Sequence, residues 1–477
     1  MTGKTNLVCV IITLASFIVM IAHIGNRSLW LDELITILLV ERNVGISENF
    51  NRILSDADSS PPGFYAFAYI WYRIAPYGTF WLKLPSVLFV TAGTYMCGLI
   101  ATKLKGEKAA ILATLLSATS FFLFAEAANT FRSYGLFYLL STLMIWFYIK
   151  RTEESNERIY DIFMYGLIMT LLAYTHYFGC FIIGIFFICD IYLIIRKKAS
   201  YKIIFSYLLT GFLYLPLLLY VAPIIYAWQG TQIYSIPTYQ TLQNNVMAFF
   251  SNSKILLISF IFASIYMYAK GFFIDKHKLI SSQNRYICTV ISASAVSLIT
   301  FIFIYCRHIG LDGQLFWTRY FVGILPMLLI ISAIGLDLLY EIFINKAFPV
   351  VFTLLALSLG ISAFFNINAH SHAKPEPWEQ AIEWIYSQDE AHAPDSYLLS
   401  NPELVTYYLT HGGRRTGMPV ITEWQIINEK EGSWNRLYCH IGNKATWEHL
   451  LPILEDEFNL VDEHRDFKVL VYQRKAE

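Results

Sequence analysis

Apolar residues in this chain come in long unbroken runs separated by short polar stretches, a pattern unlike the alternating or three-to-four spacing of soluble strands and helices. A bilayer core of about 30 Å is crossed by roughly 20 residues of α-helix, so apolar runs of that length bounded by charge predict membrane spans. About eleven such runs occur, near 7–25, 80–101, 109–125, 133–149, 159–175, 178–195, 203–223, 255–269, 287–305, 318–336 and 347–366. The first follows Lys4, as a signal peptide would. Its core is longer than a usual h-region, however, and His23-Ile24-Gly25-Asn26-Arg27 offers no small-x-small cleavage pattern, so a retained first helix is expected. After about residue 367 the pattern changes. Trp378 to Ile385 has helical spacing, while 395–399, 436–439 and 467–473 read as strands, which predicts a small α/β unit of about 110 residues. The expected fold is thus an all-α polytopic membrane protein over 1–367 with a soluble α/β domain over 368–477.

Composition agrees with that reading. Of 477 residues 56% are hydrophobic and 15% charged, against about 25% charged in soluble chains, which excludes a soluble globular or disordered protein. Lys and Arg total 35 and so do Asp and Glu, so no net field draws the chain to nucleic acid. The placement of charge is informative. Basic clusters at Lys103/Lys105/Lys108, Lys150/Arg151/Arg158, Arg196/Lys197/Lys198/Lys202 and Lys270/Lys276/Lys278/Arg285 all fall in even-numbered loops. By the positive-inside rule these are cytoplasmic, as is the N-terminus, and the odd span count puts the C-terminal domain outside. The seven cysteines lie mostly in spans, with Cys439 alone in the tail, so they form no disulfide framework. No CxxC or HExxH metal spacing and no 20–50-residue repeat is present.

Candidate chemistry collects in the loops opposite the basic clusters. The first of these carries Asp32-Glu33 directly after Trp30-Leu31. Carboxylates held against apolar walls gain basicity and suit proton abstraction from a hydroxyl, but they equally suit the N-terminus of an interfacial helix running to about Val40. Farther on, Asp58 precedes Ser59-Ser60-Pro61-Pro62-Gly63, and Phe64 to Tyr72 reads as an aromatic interfacial helix that either shelters a lipid headgroup or only anchors the loop. Arg132 and Tyr134 sit in the second such loop with Glu126 and Asn129, and Arg319-Tyr320 lie at the start of a later span. A guanidinium at such a depth is expensive unless paired or bound to an anion, and its planar fork suits phosphate. His176, between two spans, reads as a ligand or as a satisfied polar cap. The spans themselves look nearly free of charge, without the midplane ionisable groups or paired broken helices of a transporter. An enzyme acting at the outer surface on a lipid-borne anion fits this distribution better than a flippase or a non-catalytic scaffold.

Ser28-Leu29-Trp30-Leu31-Asp32-Glu33, Ser60-Pro61-Pro62-Gly63-Phe64-Tyr65, Arg132-Ser133-Tyr134-Gly135-Leu136, Thr175-His176-Tyr177-Phe178-Gly179 and Arg319-Tyr320 with Pro326 and Gly335 together resemble the pattern of glycosyltransferase family 39. These are GT-C type membrane glycosyltransferases similar to protein mannosyltransferases and to the lipid A aminoarabinose transferase. The resemblance spans roughly 1–340. It implies a sugar donor linked to polyprenyl phosphate, Asp32 as catalytic base and Glu33 as a supporting carboxylate. It also implies Arg132, Tyr134, Arg319 and Tyr320 around the donor phosphate, with Asp58 and His176 as acceptor or loop support. The chain departs from the family at Thr130, where bacterial members often carry an acidic or polar residue. Displacement by the acceptor from the face opposite the leaving phosphate gives inversion. The alternative is an oligosaccharide or polymer transferase using a pyrophosphate-linked donor. Protein, lipid and glycan all remain open as acceptors. No cofactor is implied; Asp32, Glu33 and Asp58 are chemically able to hold a divalent ion, which the resemblance does not require. A prokaryotic plasma membrane is the expected location, because no lumenal repeat domain like that of the eukaryotic mannosyltransferases is recognised.

Overall fold

The structure is a computed structural model, and it describes residues 1–26, 29–41, 45–55, 61–76, 78–153, 158–197, 199–228, 236–268, 280, 282–308, 316–343, 348–372, 378–388, 396–399, 420–421, 436–440, 451–464 and 469–475. Asp58 and the basic residues Lys198, Lys270, Lys276 and Lys278 lie outside the described residues. Contacts divide the chain into two units, one formed by 1–24, 57–67 and 83–370 and the other by 25–56, 68–82 and 371–477.

The first unit is helical. Its elements are α1 (Gly3–His23), α4 (Gly63–Ile74, in its first residues), α5 (Thr79–Leu104, from Lys83), α6 (Glu107–Ala118), α7 (Tyr134–Glu153), α8 (Ile159–Thr175), α9 (Tyr177–Ile195), α10 (Ile204–Trp228), α11 (Tyr239–Phe249), α12 (Lys254–Tyr268), α13 (Ser282–His308), α14 (Leu325–Phe343) and α15 (Phe348–His372). Each stretch expected to span is helical over most of its described length, but among the described residues six helices are long and apolar enough to cross a membrane, or seven when the α11–α12 pair, bent by 90°, is taken as one span. Part of the difference has physical causes. The run at 109–125 is split between α6 and a π-helix over Leu123–Ala128, α8 has 17 residues, and the run at 255–269 is only α12. The turn between α11 and α12 uses two non-glycine residues in left-handed backbone, Ser251 and Asn252. Sequence patterning detects apolarity and misses such breaks.

The α14 segment is 89% buried across its apolar window and packs against α6, α7, α12 and α13 as the centre of the unit, whereas α1 and the α10 segment are only 22% buried and present apolar side chains such as Leu7, Ile11, Phe212 and Leu219 outward. In lipid these exposed faces carry no cost. At the ends where the basic clusters lie, buried charge is paired. Arg151 of α7 meets both Asp190 carboxylate oxygens of α9 at 2.5 and 2.6 Å, Tyr207 of α10 donates to the same carboxylate at 2.5 Å, and the guanidinium stacks over Tyr148 and Tyr165. Lys105 reaches Glu341 at 2.8 Å and Asp337 at 3.6 Å.

In the second unit, α2 (Leu31–Leu39) and α3 (Ile46–Ser55) pack together. The C-terminal end of α2 is satisfied from its neighbours: Arg73, stacked on Tyr69, donates to the carbonyls of Val40 and Glu41, and Arg52 pairs with Glu41 and Glu48. The amphipathic α3 was not evident in the sequence because its polar face hides a narrow apolar stripe. Pro85 of α5 has no N–H to give the Trp81 carbonyl, and that oxygen accepts the Trp71 indole N–H at 2.9 Å instead. The tail holds α16 (Trp378–Ser387), α17 (Leu451–Glu457) and a five-stranded sheet of β1 (Ser396–Leu399), β2 (Val420–Ile421), β3 (Arg436–His440), β4 (Phe458–His464) and β5 (Val469–Arg474) in the order β2-β1-β3-β5-β4. Pairing is parallel in β2-β1-β3 and antiparallel in β3-β5-β4. The helix and three strands expected from the sequence are present, joined by the edge strands β2 and β4.

Candidate active site

The carboxylate pair of the first loop is sorted by α2. Glu33 is buried, and its Oε2 accepts the Trp30 N–H at 3.1 Å, half of a capping box at the helix start. Asp32, one position earlier, is half-buried, and Thr36 Oγ1 bonds its carbonyl rather than its carboxylate. Glu33 thus closes the helix start, in line with the cap reading, and Asp32 carries the more accessible of the two carboxylates.

In the first unit, the ends of α5, α7, α9 and α14 away from the basic clusters form a polar and aromatic patch. The π-helix Leu123–Ala128 is buried on all but Glu126 and ends at Asn129, whose N–H donates back to Phe124 at 2.8 Å. Wide-turn insertions of this kind often mark functional sites. Here the turn delivers Asn129 to Lys83 of α5, with Lys83 Nζ donating to Asn129 Oδ1 at 3.4 Å. Lys83 is 1% exposed, which corrects the expectation that the spans are nearly free of charge; the residue is hidden in an apolar run whose average masks a single lysine. The Asn129 Nδ2 is buried and has no hydrogen-bond partner among the described residues. Ser86 Oγ donates to the Thr130 carbonyl at 2.6 Å, Phe131 packs edge-on to Phe64 at 5.7 Å, and Arg132, 5% exposed, donates to Tyr65 Oη at 3.5 Å. Close approach of α4 to the end of α8 needs Gly63, where a Cβ would strike the Tyr174 carbonyl. Lys83 was not singled out in the sequence, whereas Asn129 was named only as a polar neighbour of Arg132 and Tyr65 only as the end of a motif, neither with a role. A polar residue interrupting the apolar start of a span was the available signal for Lys83.

His176, Tyr134 and Tyr320 are brought together. The imidazole lies 5.9 Å from the Tyr134 ring and 5.5 Å from that of Tyr320, and the two tyrosines are 6.4 Å apart. Tyr320 and Arg319 sit on a 3₁₀-helix, Thr318–Ile324, that leads into α14, where Pro326 occupies the first turn without sacrificing a hydrogen bond. The Arg319 guanidinium lies 4.1 Å over the Trp317 ring. Among the described residues no group of three or more His, Cys, Asp or Glu is placed to hold a metal.

No protein-family model matches the sequence, and comparison with curated proteins gives no match. Solved structures do match. ArnT from Cupriavidus metallidurans in the apo state superposes with a TM-score of 0.64 at 12% identity, covering 99% of this chain and 98% of that one. The same protein bound to undecaprenyl phosphate gives 0.61 at 11% identity, with 98% of each chain covered. The oligosaccharyltransferase AglB from Archaeoglobus fulgidus, in complex with an inhibitory peptide and a dolichol-phosphate, gives 0.57 at 12% identity over 99% of this chain and 74% of that one. The fold is the GT-C fold of membrane glycosyltransferases. The GT-C resemblance read from the sequence motifs is thereby reached independently from the arrangement of the helices.

Proposed function

We propose that this GT-C protein transfers a sugar from a polyprenyl-phosphate-linked donor to an acceptor on the non-cytoplasmic face of a membrane, with inversion. The observation that carries the reading is the buried Lys83–Asn129–Arg132 cluster with its unpartnered amide N–H. An unsatisfied buried donor costs about 1–3 kcal/mol, and a lipid phosphate oxygen is a ligand that would remove that cost. As the glycosidic bond breaks, the phosphate gains negative charge. Two buried cations and the amide supply fixed stabilisation where charge grows, so no general acid is needed at this leaving group. Tyr65 orients Arg132, while Tyr134, Arg319 and Tyr320 complete the donor side. Asp32 takes the proton of the attacking acceptor hydroxyl or amine, and Glu33 serves it by holding the start of α2.

Likeness in fold to AglB favours a second reading, an oligosaccharide transferase, but the chain matches ArnT over nearly its whole length and AglB over about three quarters. One experiment addresses both. Lipid co-purifying with Asp32→Asn and wild-type protein is identified by mass spectrometry alongside a transfer assay. The variant is expected to retain a glycosylated polyprenyl monophosphate that wild type consumes, with transfer reduced about 10²- to 10⁴-fold. A pyrophosphate-linked glycan would select the second reading. Unchanged turnover would remove Asp32 from the base role, and absence of any polyprenyl lipid in both proteins would overturn the donor.

A further inference from the structure

We propose that His176 is a positioning residue that must be neutral, with its proton on Nε2, for the donor side of the site to hold its shape; the inference rests on the transferase reading above. His176 is the N-cap of α9, and its Nδ1 accepts the Phe178 N–H at 3.2 Å. A ring nitrogen that accepts carries no proton, so the neutral imidazole bears its hydrogen on Nε2. The ring is 7% exposed and stacks on Phe137 of α7 at 4.8 Å with planes 15° apart. Phe178 meets it edge-on at 5.5 Å, with Tyr134 and Tyr320 at the distances given above. Phe137 also fills the space left by Gly323 on the 3₁₀-helix, where a Cβ would collide with its ring. One imidazole thus joins α7, α9 and the 3₁₀-helix. The two tyrosines it holds follow Arg132 and Arg319 by two residues and one residue.

Protonation at Nδ1 replaces the acceptor with a second donor facing the Phe178 N–H. The cap is lost, and a charge is placed in an aromatic, largely closed surrounding. Ionisable groups that face the ring include Tyr134 from α7 and Tyr320 from the 3₁₀-helix, with Arg132 and Arg319 on the same segments. Neither tyrosine nor arginine changes charge between pH 5 and 8. The histidine is therefore the group of this cluster that acid switches.

The test measures binding of undecaprenyl phosphate, the lipid seen in the ArnT structure, from about pH 5 to 8, together with sugar transfer, for wild type, His176→Asn and Phe137→Leu. Asn caps a helix as well as any residue. A role confined to capping therefore predicts that His176→Asn behaves as wild type. The positioning role predicts affinity about tenfold weaker than wild type at pH 7.5 and no acid loss beyond that caused by titration of the lipid itself, which is common to all three proteins. Wild type is expected to lose about tenfold between pH 7.5 and 5.5. Phe137→Leu, which leaves the cap intact, is expected to weaken binding similarly, and it keeps the inference testable if His176→Asn does not fold. His176→Asn binding as wild type at every pH overturns the inference while leaving the transferase reading in place. Wild type that binds with the expected profile yet transfers no sugar overturns the transferase reading alone. Absence of wild-type binding overturns both.

Discussion

The helices α7 and α9 meet buried polar groups at both ends, and the two ends are built differently. At the basic-cluster end Arg151 is held by short charge-assisted bonds to Asp190, itself bonded by Tyr207 and flanked by aromatic rings. At the other end Lys83 Nζ donates to Asn129 Oδ1 at 3.4 Å, Arg132 donates to Tyr65 Oη at 3.5 Å, and the Asn129 Nδ2 lacks a partner among the described residues. The short, charge-assisted bonds of the first end suit a permanent structural joint, even though Arg151 Nε and Tyr148 Oη there have no hydrogen-bond partner among the described residues. The unpartnered Asn129 amide beside a buried lysine suits a place that a ligand could complete. The lesson is that burial alone does not tell a structural ion pair from a candidate binding group; the partner's chemistry does more, a carboxylate within 2.6 Å of Arg151 against a neutral amide oxygen 3.4 Å from Lys83.

The strongest challenge to that contrast is removal of one partner of the structural joint. Asp190→Leu strands the Arg151 guanidinium in an apolar surrounding and is expected to cost about 3–5 kcal/mol, read as a lowered unfolding temperature in detergent. Arg151→Met/Asp190→Leu removes both charges and is expected to recover most of that loss. If the single variant melts like wild type but loses undecaprenyl phosphate binding, the joint belongs to the site and the contrast fails.

A smaller effect is expected at the opposite end. Asn129→Leu removes the unpartnered amide N–H together with the Oδ1 that accepts from Lys83, so the two effects on stability oppose each other and the lipid-free protein should melt only slightly below wild type, while affinity for undecaprenyl phosphate falls about tenfold. Lys83→Met should weaken binding further, by about 10- to 100-fold, since hydrogen bonds to charged groups contribute about 1.5–3 kcal/mol. A large drop in stability of the lipid-free Asn129→Leu protein, with unchanged binding, would make the cluster a second structural joint.

Sequence reading reached the parts of this molecule whose signal is averaged over many residues or concentrated in a motif. The helical nature of all the expected spans, the aromatic helix α4, the short α2 ending near Val40, and the tail elements α16, β1, β3 and β5 follow from apolar periodicity. Asp32, Arg132, His176 and Tyr320 stood out because they form motifs in short loops. What escaped depends on three-dimensional proximity or local irregularity. Lys83 is one charge in an apolar run, and Asn129 matters only because a π-turn sets it beside that lysine. The division of labour between Asp32 and Glu33 turns on which carboxylate reaches back to Trp30, a one-residue difference that composition cannot resolve.

The smallest expected effect sharpens the acid response of the two ends. Glu107, at the start of α6, accepts hydrogen bonds from the Thr2 N–H at 2.7 Å and from Thr5 Oγ1 at 2.9 Å. Hydrogen bonds from Thr2, its side chain first, and from Thr5 favour the carboxylate and hold its pKa below the usual glutamate value. Because the folded value is depressed, the stabilisation is present in full above the unfolded value of about 4.3 and disappears as pH falls through the lower folded value. Glu107 is solvent-exposed, so the contribution is small. The difference in unfolding temperature between wild type and Glu107→Gln should be present at pH 7 and shrink progressively as pH falls below about 4.3. The acid loss of lipid binding assigned to His176 should persist in Glu107→Gln. If lipid binding instead survives to pH 5 and is lost in step with the Glu107 transition, a carboxylate at the basic-cluster end controls the acid response and the two ends are not independent.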